Sequence, residues 1–542
     1  MRNCFICRKK SALIILLILI SALAIRLYNL NKYDLWFDEI ISNLFAHQNL
    51  ERDAAVSGHS ILSLIFERCH DDPHSSFYYL LIYFCSFFLK GWWSLRIISV
   101  IFSTLTLLVF YKLARLVYDR STGIFALLLM AMSPFQVWYA QEMRAYAISG
   151  FFALLATLFL VKILVKEKKS YWVYFFISEI FALLTNYYSV LLLIIALSFL
   201  LFKRNFQYTR KACLSIGILL VFFVSFLGAI LHRLYMLKNF SWLLPPVFRN
   251  LFLSFAVFGL GYSANYSQLR IGLDILAVLF IYGIYRSFKD KNKYTVFLLS
   301  SFLLPIIIIF IISKRIVPLY LDRQFIVITP FYYLLIGKGL SGIKNIKIRL
   351  SACIVLAALM ISLLVNYYNG FMLPGKNGGD FYTGVHERKQ CRLLFAYLYD
   401  NLAEKDIVAA TDIQSYLLTL QVMRERFKNS CSHWFLFYPG RLDRVAKSSF
   451  YDLRNIPKDK IKGNPETLHG FYYCSYYPAI MEDPVINKSI KRIWLVTSFW
   501  DRDGLHPVSD DHKRMRKHLL SEYNREEVKE KDGIILERFV RQ

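Results

Sequence analysis

Residues 11–25 read SALIILLILISALAI, and residues 352–365 read ACIVLAALMISLLV. Neither stretch carries a charged side chain, and similar runs recur along the first two thirds of the chain. A helix that crosses a hydrocarbon layer about 30 Å thick needs about 20 mostly apolar residues. The mean hydropathy of +0.41 and the hydrophobic share of 56% agree with this pattern. The sequence therefore predicts an α-helical polytopic membrane protein.

The chain is strongly basic, with a formal net charge of +27 over 542 residues. In a soluble protein such a charge would suggest nucleic acid as a partner. Here the basic residues lie mostly in short segments between apolar runs, which is typical of cytoplasmic loops. We therefore expect contact with membrane lipids and none with nucleic acid. The nine cysteines do not form the framework of a disulfide-rich protein.

The basic segments orient the predicted spans. Those assigned to the cytoplasm are Arg8–Lys10, Lys112–Arg120, Lys166–Lys169, Lys203–Lys211, Lys289–Lys293 and Lys344–Arg349. This assignment predicts about eleven transmembrane helices, near 11–25, 95–115, 122–139, 144–163, 171–185, 187–202, 212–232, 272–288, 294–312, 323–340 and 350–366. It places a long first loop, 26–94, on the outer side, with a juxtamembrane helix at Phe77–Leu89.

The last third of the chain has a different composition. Residues 367–542 are polar and charged, with short apolar runs such as Ile407–Ala410 and Ile493–Val496. The sequence predicts a membrane core at 1–366 and a small α/β domain at 367–542, which is long enough to form its own core. The predicted number of crossings places that domain on the extracytoplasmic side.

The predicted outer loops carry the polar residues that suggest chemistry. Asp38 and Glu39 follow the first apolar run and two aromatic residues, Trp36 and Phe37. A carboxylate at an apolar interface tends to have a raised pKa, which suits a general base at neutral pH. The helix that begins near Ile40 offers another explanation, because carboxylates also cap helix N-termini.

A later outer loop breaks the orientation rule. Lys314, Arg315 and Arg323 fall on the predicted outer side, although positive charge is usually kept inside. An anionic phosphate or pyrophosphate at the interface would explain them, because guanidinium groups bind phosphate oxygens through charge-assisted hydrogen bonds. Contact with lipid headgroups is the alternative explanation.

Four motifs together resemble a known family. They are Trp36-Phe-Asp-Glu39, His74 followed by Phe77-Tyr-Tyr79, Ser94-Leu-Arg96, and Ser133-Pro-Phe-Gln-Val-Trp-Tyr-Ala-Gln-Glu-Met-Arg-Ala-Tyr146. They are similar to the GT-C glycosyltransferases, especially bacterial members akin to the dolichyl-phosphate-mannose protein mannosyltransferases and the aminoarabinose lipid A transferases. The resemblance is strongest over residues 30–165.

The resemblance implies a GT-C core, a polyprenyl-phosphate-linked sugar donor, an active site at the outer membrane face and inversion at the anomeric carbon. It implies that Asp38 is the general base and that Glu39 positions the acceptor or shares that role. Glu142 matches an acidic position of the family's second external loop, with Arg144 and Tyr146 beside it. Such an enzyme would be a hexosyl- or pentosyltransferase.

The resemblance also implies two further binding residues. Arg323 matches an arginine that the family uses near the carrier phosphate. His74 is expected to bind substrate, but this chain has Ser75-Ser76 where relatives commonly carry a proline pair, which leaves its role open. No cofactor is predicted, and a divalent metal ion held by Asp71 or Asp72 with a histidine stays open.

Other functions fit parts of the same pattern. A transporter or flippase of a lipid-linked glycan would also place charged groups among apolar helices, and Glu179 and Asp274 lie within predicted spans. A non-catalytic membrane scaffold is a third alternative. The sugar is undetermined, and the acceptor hydroxyl is that of a lipid, a polysaccharide or a protein. A bacterial inner membrane is the favoured location, although an endoplasmic reticulum membrane fits the charge pattern too.

Overall fold

The structure is a computed structural model. It describes residues 2–47, 50–51, 60–65, 76–166, 168–202, 210, 213–217, 221, 228, 231, 234–235, 245–373, 392–402, 406–410, 435–437, 472–474, 492–497, 517, 519–531 and 534–541. The predicted span at 212–232 and the glycine-rich segment 375–379 lie largely or wholly outside these residues. The chain divides into two compact units, one of 1–30, 72–375 and 380–387, and one of 31–71, 376–379 and 388–542.

The first unit is helical. Its helices are α1 (Arg2–Leu27), α3 (Ser76–Cys85), α4 (Arg96–Val117), α5 (Arg120–Met132), α6 (Pro134–Ala140), α7 (Tyr146–Val165), α8 (Lys169–Thr185), α9 (Ser189–Phe202), α10 (Phe248–Leu260), α11 (Tyr266–Lys289), α12 (Thr295–Arg315), α13 (Thr329–Gly342) and α14 (Ile346–Tyr368). Two 3₁₀ helices, Trp92–Leu95 and Asp322–Val327, precede α4 and α13.

Several of these helices are long and apolar enough to cross a membrane. Among the described residues there are five, Trp93–Val117, Tyr146–Val165, Tyr266–Lys289, Thr295–Arg315 and Ile346–Tyr368, or six if a bent pair counts as one span. The predicted membrane protein with a helical core is thereby confirmed, and the number of crossings stays a prediction. A helix lies at Ser76–Cys85, as predicted, and its place at the outer surface stays a prediction as well.

The span predicted at 122–139 is broken in the structure. Helices α5 and α6 meet at an angle of 58° on either side of Ser133. Pro134 ends the first helix because it has no backbone N–H to donate and its ring clashes with the preceding turn, whereas it is well tolerated as the first residue of α6. The hydroxyl group of Tyr333 donates to Ser133 Oγ at 2.7 Å, so the break is held by a partner from α13.

Helices α11 and α13 are in backbone contact. A Cβ atom on Gly283 would lie 1.9 Å from the carbonyl oxygen of Leu335, and one on Gly339 would lie 2.1 Å from that of Leu279. Small residues at such crossings allow the close approach on which helix association in membranes depends. An ion pair of 2.7 Å between Lys338 Nζ and Asp290 Oδ2 lies where α11 ends.

Among the described residues, the second unit includes the helices α2 (Phe37–Asn43) and α15 (Arg392–Asn401) and a six-stranded sheet. Its strands are β1 (Ile407–Ala410), β2 (Phe435–Phe437), β3 (Tyr472–Cys474), β4 (Arg492–Thr497), β5 (Tyr523–Lys531) and β6 (Ile534–Arg541), in the order β3-β2-β1-β4-β6-β5. Strands β1 to β4 pair in parallel, whereas β6 is antiparallel to both of its neighbours, β4 and β5. The predicted small C-terminal α/β architecture is confirmed.

One buried carboxylate ties β1 to β4. Asp406 precedes β1, and its two oxygens accept hydrogen bonds from Arg492 Nε and Nη2, each at 2.8 Å. The indole N–H of Trp494 donates to Asp406 at 2.9 Å. A two-point contact between arginine and carboxylate fixes both distance and orientation, so Asp406 stabilises the pairing of these strands.

Candidate active site

The segment between α6 and α7 forms a buried, tightly bonded turn. Glu142 and Arg144 are each 2% exposed. The backbone N–H of Arg144 donates to the carbonyl oxygen of Glu142 at 2.9 Å, and Ser99 Oγ of α4 donates to the same oxygen at 2.7 Å. Arg144 Nη1 donates to the Tyr79 hydroxyl group at 3.3 Å. The predicted residues therefore lie on a backbone that neighbouring helices hold in place.

Two tyrosine hydroxyl groups lie close to the predicted charged residues. Tyr139 Oη and Tyr262 Oη are 2.7 Å apart, and the Tyr146 ring lies 5.1 Å from the Tyr139 ring. The charges of Glu142 and Arg323 both act on the Tyr139 hydroxyl group, although these residues are far apart in the sequence. Tyr139 thus lies against the predicted residue Tyr146 and within reach of the charges of two others, Glu142 and Arg323.

Tyr262 is the partner that the sequence did not indicate. It lies in the turn between α10 and α11 and is fully buried. Burial raises its pKa well above the ordinary value, and the charges of Asp322 and Arg323 act on it in opposite directions. The hydroxyl group therefore stays protonated and can donate one hydrogen bond while it accepts another.

Arg323 lies on a short 3₁₀ helix directly after a partly buried carboxyl group, that of Asp322. Arg323 is 8% exposed, and the preceding residue, Asp322, is partly buried. Asp322 accepts a hydrogen bond from Ser254 Oγ of α10, which is also 2.8 Å from the Tyr320 hydroxyl group. Burial raises the pKa of Asp322 to about 6, and the hydrogen bond from Ser254 opposes that rise. An acidic residue directly before Arg323 was the one sequence signal for this network.

The other two predicted cations differ from Arg323. Lys314 and Arg315 are exposed in the last turn of α12, where the helix dipole favours positive charge. The Lys314 ammonium lies 5.0 Å from the centre of the Phe248 ring. These side chains are accessible for contact with a headgroup or a phosphate, and helix-end stabilisation accounts for part of their placement.

Asp38 and Glu39 lie in the first turn of α2, in the second unit. Glu39 is 1% exposed, and the backbone N–H of Trp36 donates to Glu39 Oε2 at 3.5 Å. This contact is the reciprocal part of an N-terminal cap, so the alternative explanation applies to Glu39, although the helix begins at Phe37 and not near Ile40. Asp38 is partly exposed, and its backbone carbonyl accepts from Ser42 Oγ at 3.2 Å. The two carboxylates thus have different surroundings.

The remaining predicted residue, His74, lies outside the described residues, as do Asp71 and Asp72. Across the described part of the chain, no group of three or more histidine, cysteine, aspartate or glutamate side chains is arranged to hold a metal ion. Metal dependence and the role of His74 therefore stay open.

Comparisons with known proteins agree with this fold. Residues 73–228 match the family model described as dolichyl-phosphate-mannose-protein mannosyltransferase. The structure is similar to that of ArnT from Cupriavidus metallidurans bound to undecaprenyl phosphate, with a TM-score of 0.58, 10% identity, and 96% of this chain and 97% of ArnT covered. The apo form of that ArnT gives a TM-score of 0.57 at 11% identity, with 98% of each chain covered.

A third similar structure is the oligosaccharyltransferase AglB from Archaeoglobus fulgidus in complex with an inhibitory peptide and a dolichol-phosphate. The match covers 89% of this chain and 69% of AglB, at 12% identity and a TM-score of 0.47. No curated protein sequence matches this chain. The family model and the ArnT-like fold confirm the predicted resemblance to the GT-C glycosyltransferases.

Proposed function

We propose, from its GT-C fold, that this chain is a glycosyltransferase that moves a sugar from a polyprenyl-phosphate donor to an acceptor hydroxyl group at the outer membrane face. The observation that carries the proposal is the buried Tyr139–Tyr262 hydroxyl pair, 2.7 Å apart. The charge of Arg323 acts on both hydroxyl groups, and the charge of Glu142 acts on that of Tyr139. A buried cation beside hydroxyl donors suits a phosphate group that gains charge as its bond to the sugar breaks. The similar ArnT structure contains undecaprenyl phosphate, which supports this class of donor.

The proposed base is Asp38. It would take the proton from the acceptor hydroxyl group while the oxygen attacks the anomeric carbon from the face opposite the phosphate. The carbon–oxygen bond to the phosphate breaks, and the phosphate leaves with the electron pair, so the anomeric centre is inverted. Glu39 is the weaker candidate for the base because its carboxylate caps α2, and a positioning role fits it better.

The other predicted residues take binding roles in this proposal. Arg323 would bind the carrier phosphate, and the exposed pair Lys314 and Arg315 would attract it from the membrane surface. Glu142 would act in catalysis or orient the acceptor, with Arg144 and Tyr146 shaping the site from the same turn. The acceptor is a lipid, a polysaccharide or a protein.

The membrane location and orientation of the enzyme are part of the same proposal. We place it in a bacterial inner membrane, with the sheet domain on the extracytoplasmic side. This orientation rests on the distribution of basic segments.

The first test is transfer by purified protein in sealed proteoliposomes, in which movement of donor across the bilayer can also be followed. Wild type, Asp38→Asn and Asp34→Asn are incubated with radiolabelled undecaprenyl-phosphate sugars, both hexoses and pentoses, and with lipid extract from the host. Asp34 lies in the same segment and is also partly buried, so Asp34→Asn is a matched control. We expect wild type and Asp34→Asn to label a product and Asp38→Asn to lose at least about 10²-fold in rate.

The other outcomes have distinct meanings. Equal transfer by all three proteins would remove Asp38 as the base. Movement of labelled donor across the bilayer without a labelled product would favour the flippase, for which the buried Glu179 of α8 offers an ionisable group within a helix. Transfer lost equally in both variants would point to a general effect of substitution in this segment.

A further inference from the structure

The end of α1 is held by side chains from three distant helices and turns. A helix leaves its last carbonyl groups without partners inside the helix. Here the Tyr368 hydroxyl group donates to the carbonyl oxygen of Ile25. The Gln141 amide donates to those of Arg26 and Tyr28, each at 2.8 Å. Three residues after the end of α1, the carbonyl oxygen of Leu30 accepts a hydrogen bond from Arg96 Nη1 at 2.9 Å. We call Arg96, Gln141 and Tyr368 the exit clamp.

Gln141 is the centre of the exit clamp. Both N–H groups of its amide donate to carbonyl oxygens, one in the last turn of α1 and one just after it, and its Oε1 accepts from the Tyr367 hydroxyl group at 2.7 Å. Gln141 is 2% exposed, so water does not replace these bonds easily. An amide is suited to this position because it presents two donors and an acceptor in one plane.

The held segment leads directly to the proposed base. The chain turns sharply at Asn29, whose φ of 55° lies in the left-handed region. Leu30 is the last clamped residue, and Asp38 follows eight residues later. Gln141 directly precedes Glu142 in the chain, and the carbonyl oxygen of Glu142 accepts a hydrogen bond from Ser99 Oγ. One amide thus restrains the backbone that leads to Asp38 and the turn that carries Glu142.

We infer that Gln141 is a positioning residue, which sets where the Asp38 segment leaves the helical unit. Gln141 acts through backbone groups and does not touch substrate. The kinetic part of this inference rests on the proposed glycosyl transfer, whereas the restraint itself does not. A loss of geometry of about 1 Å costs about 10²-fold in rate when reacting groups must be aligned. Removal of the amide should therefore lower kcat more than it changes the KM for donor.

The test compares Gln141→Leu with Gln136→Leu. Gln136 is a buried glutamine of α6 whose amide donates to Thr329 Oγ1 at 2.8 Å and whose backbone N–H donates to Ser133 Oγ, so these bonds lie away from α1. In hydrogen–deuterium exchange we expect amides of residues 28–36 to exchange about tenfold faster in Gln141→Leu only. With undecaprenyl-phosphate sugar as the probe, kcat should fall about 10- to 100-fold with KM within about twofold.

Equal exchange in both variants, or a change in KM alone, would overturn the inference. Should Gln141→Leu fail to fold, Tyr368→Phe removes one exit-clamp bond, and Tyr282→Phe is its control because Tyr282 donates to the Gly342 carbonyl oxygen instead. Faster exchange of residues 28–36 in Tyr368→Phe alone would support the exit clamp, and equal exchange would refute it. A wild type without transfer would refute the proposed function, and the exchange data would still decide the restraint.

Discussion

Replacement of Asp322 by asparagine should stabilise the protein, although it removes a hydrogen-bonded carboxylate. Burial raises the pKa of Asp322 to about 6 from an ordinary 3.8. A carboxyl group with a raised pKa costs stability whenever it is ionised, because the unfolded chain holds the charge in water more easily. The asparagine oxygen can still accept the hydrogen bond from Ser254.

The magnitude follows from the difference between the two pKa values. At about 1.36 kcal/mol per pKa unit, the interval from 3.8 to about 6 corresponds to about 3 kcal/mol. Asp322 is partly exposed, so solvent screening reduces this to about 1–2 kcal/mol. Below about pH 4 the carboxyl group is protonated in the folded and the unfolded protein, so the substitution adds no stability. The gain grows from pH 4 to pH 6 and is complete above pH 7.

The assay is thermal unfolding of wild type and Asp322→Asn in detergent from pH 4 to pH 8. The control, Asp290→Asn, should behave in the opposite way, because the hydrogen bond from Lys338 lowers the pKa of Asp290. That carboxylate contributes stability at neutral pH which is lost as the pH falls, so its removal should be costly at pH 7. An Asp322→Asn variant that melts below wild type at pH 8, or a gain that does not vary with pH, would refute the reasoning.

Three further substitutions test the site and the fold. Arg323→Gln should lower the rate of transfer about 10²-fold, because the buried cation that we propose binds the leaving phosphate is lost. A rate near that of wild type would remove Arg323 from the proposed site. Gly283→Ala should lower the free energy of unfolding by about 3 kcal/mol or prevent folding, because its Cβ would overlap a backbone oxygen at 1.9 Å. Gly150→Ala is the control in the same melting assay and should be tolerated, because its nearest contact would be at 3.9 Å. Asp406→Ala should destabilise the sheet by about 2–3 kcal/mol because Arg492 keeps its charge without the carboxylate, and proteolysis of the purified protein would detect the loosened domain.

Local composition was enough to predict the class of the protein. Apolar runs such as 352–365 form helices because a bilayer leaves no other partner for backbone groups. Short apolar runs at Ile407–Ala410 and Ile493–Val496 became adjacent parallel strands of the C-terminal sheet. The sequence also pointed to Arg323, which breaks the positive-inside trend, and to Glu142, which the family resemblance implies as a site residue.

Only the tertiary structure decided which of these residues meet. Tyr139 and Tyr262 are more than a hundred positions apart, and their contact depends on how α6 and the turn after α10 pack. Gln141 belonged to a recognised motif, yet its bonds to the end of α1 could not be read from neighbouring residues. A sequence pattern reports which faces are apolar and which residues are charged. The partners of buried polar groups are set by long-range packing, because each must find a hydrogen bond wherever the fold places one.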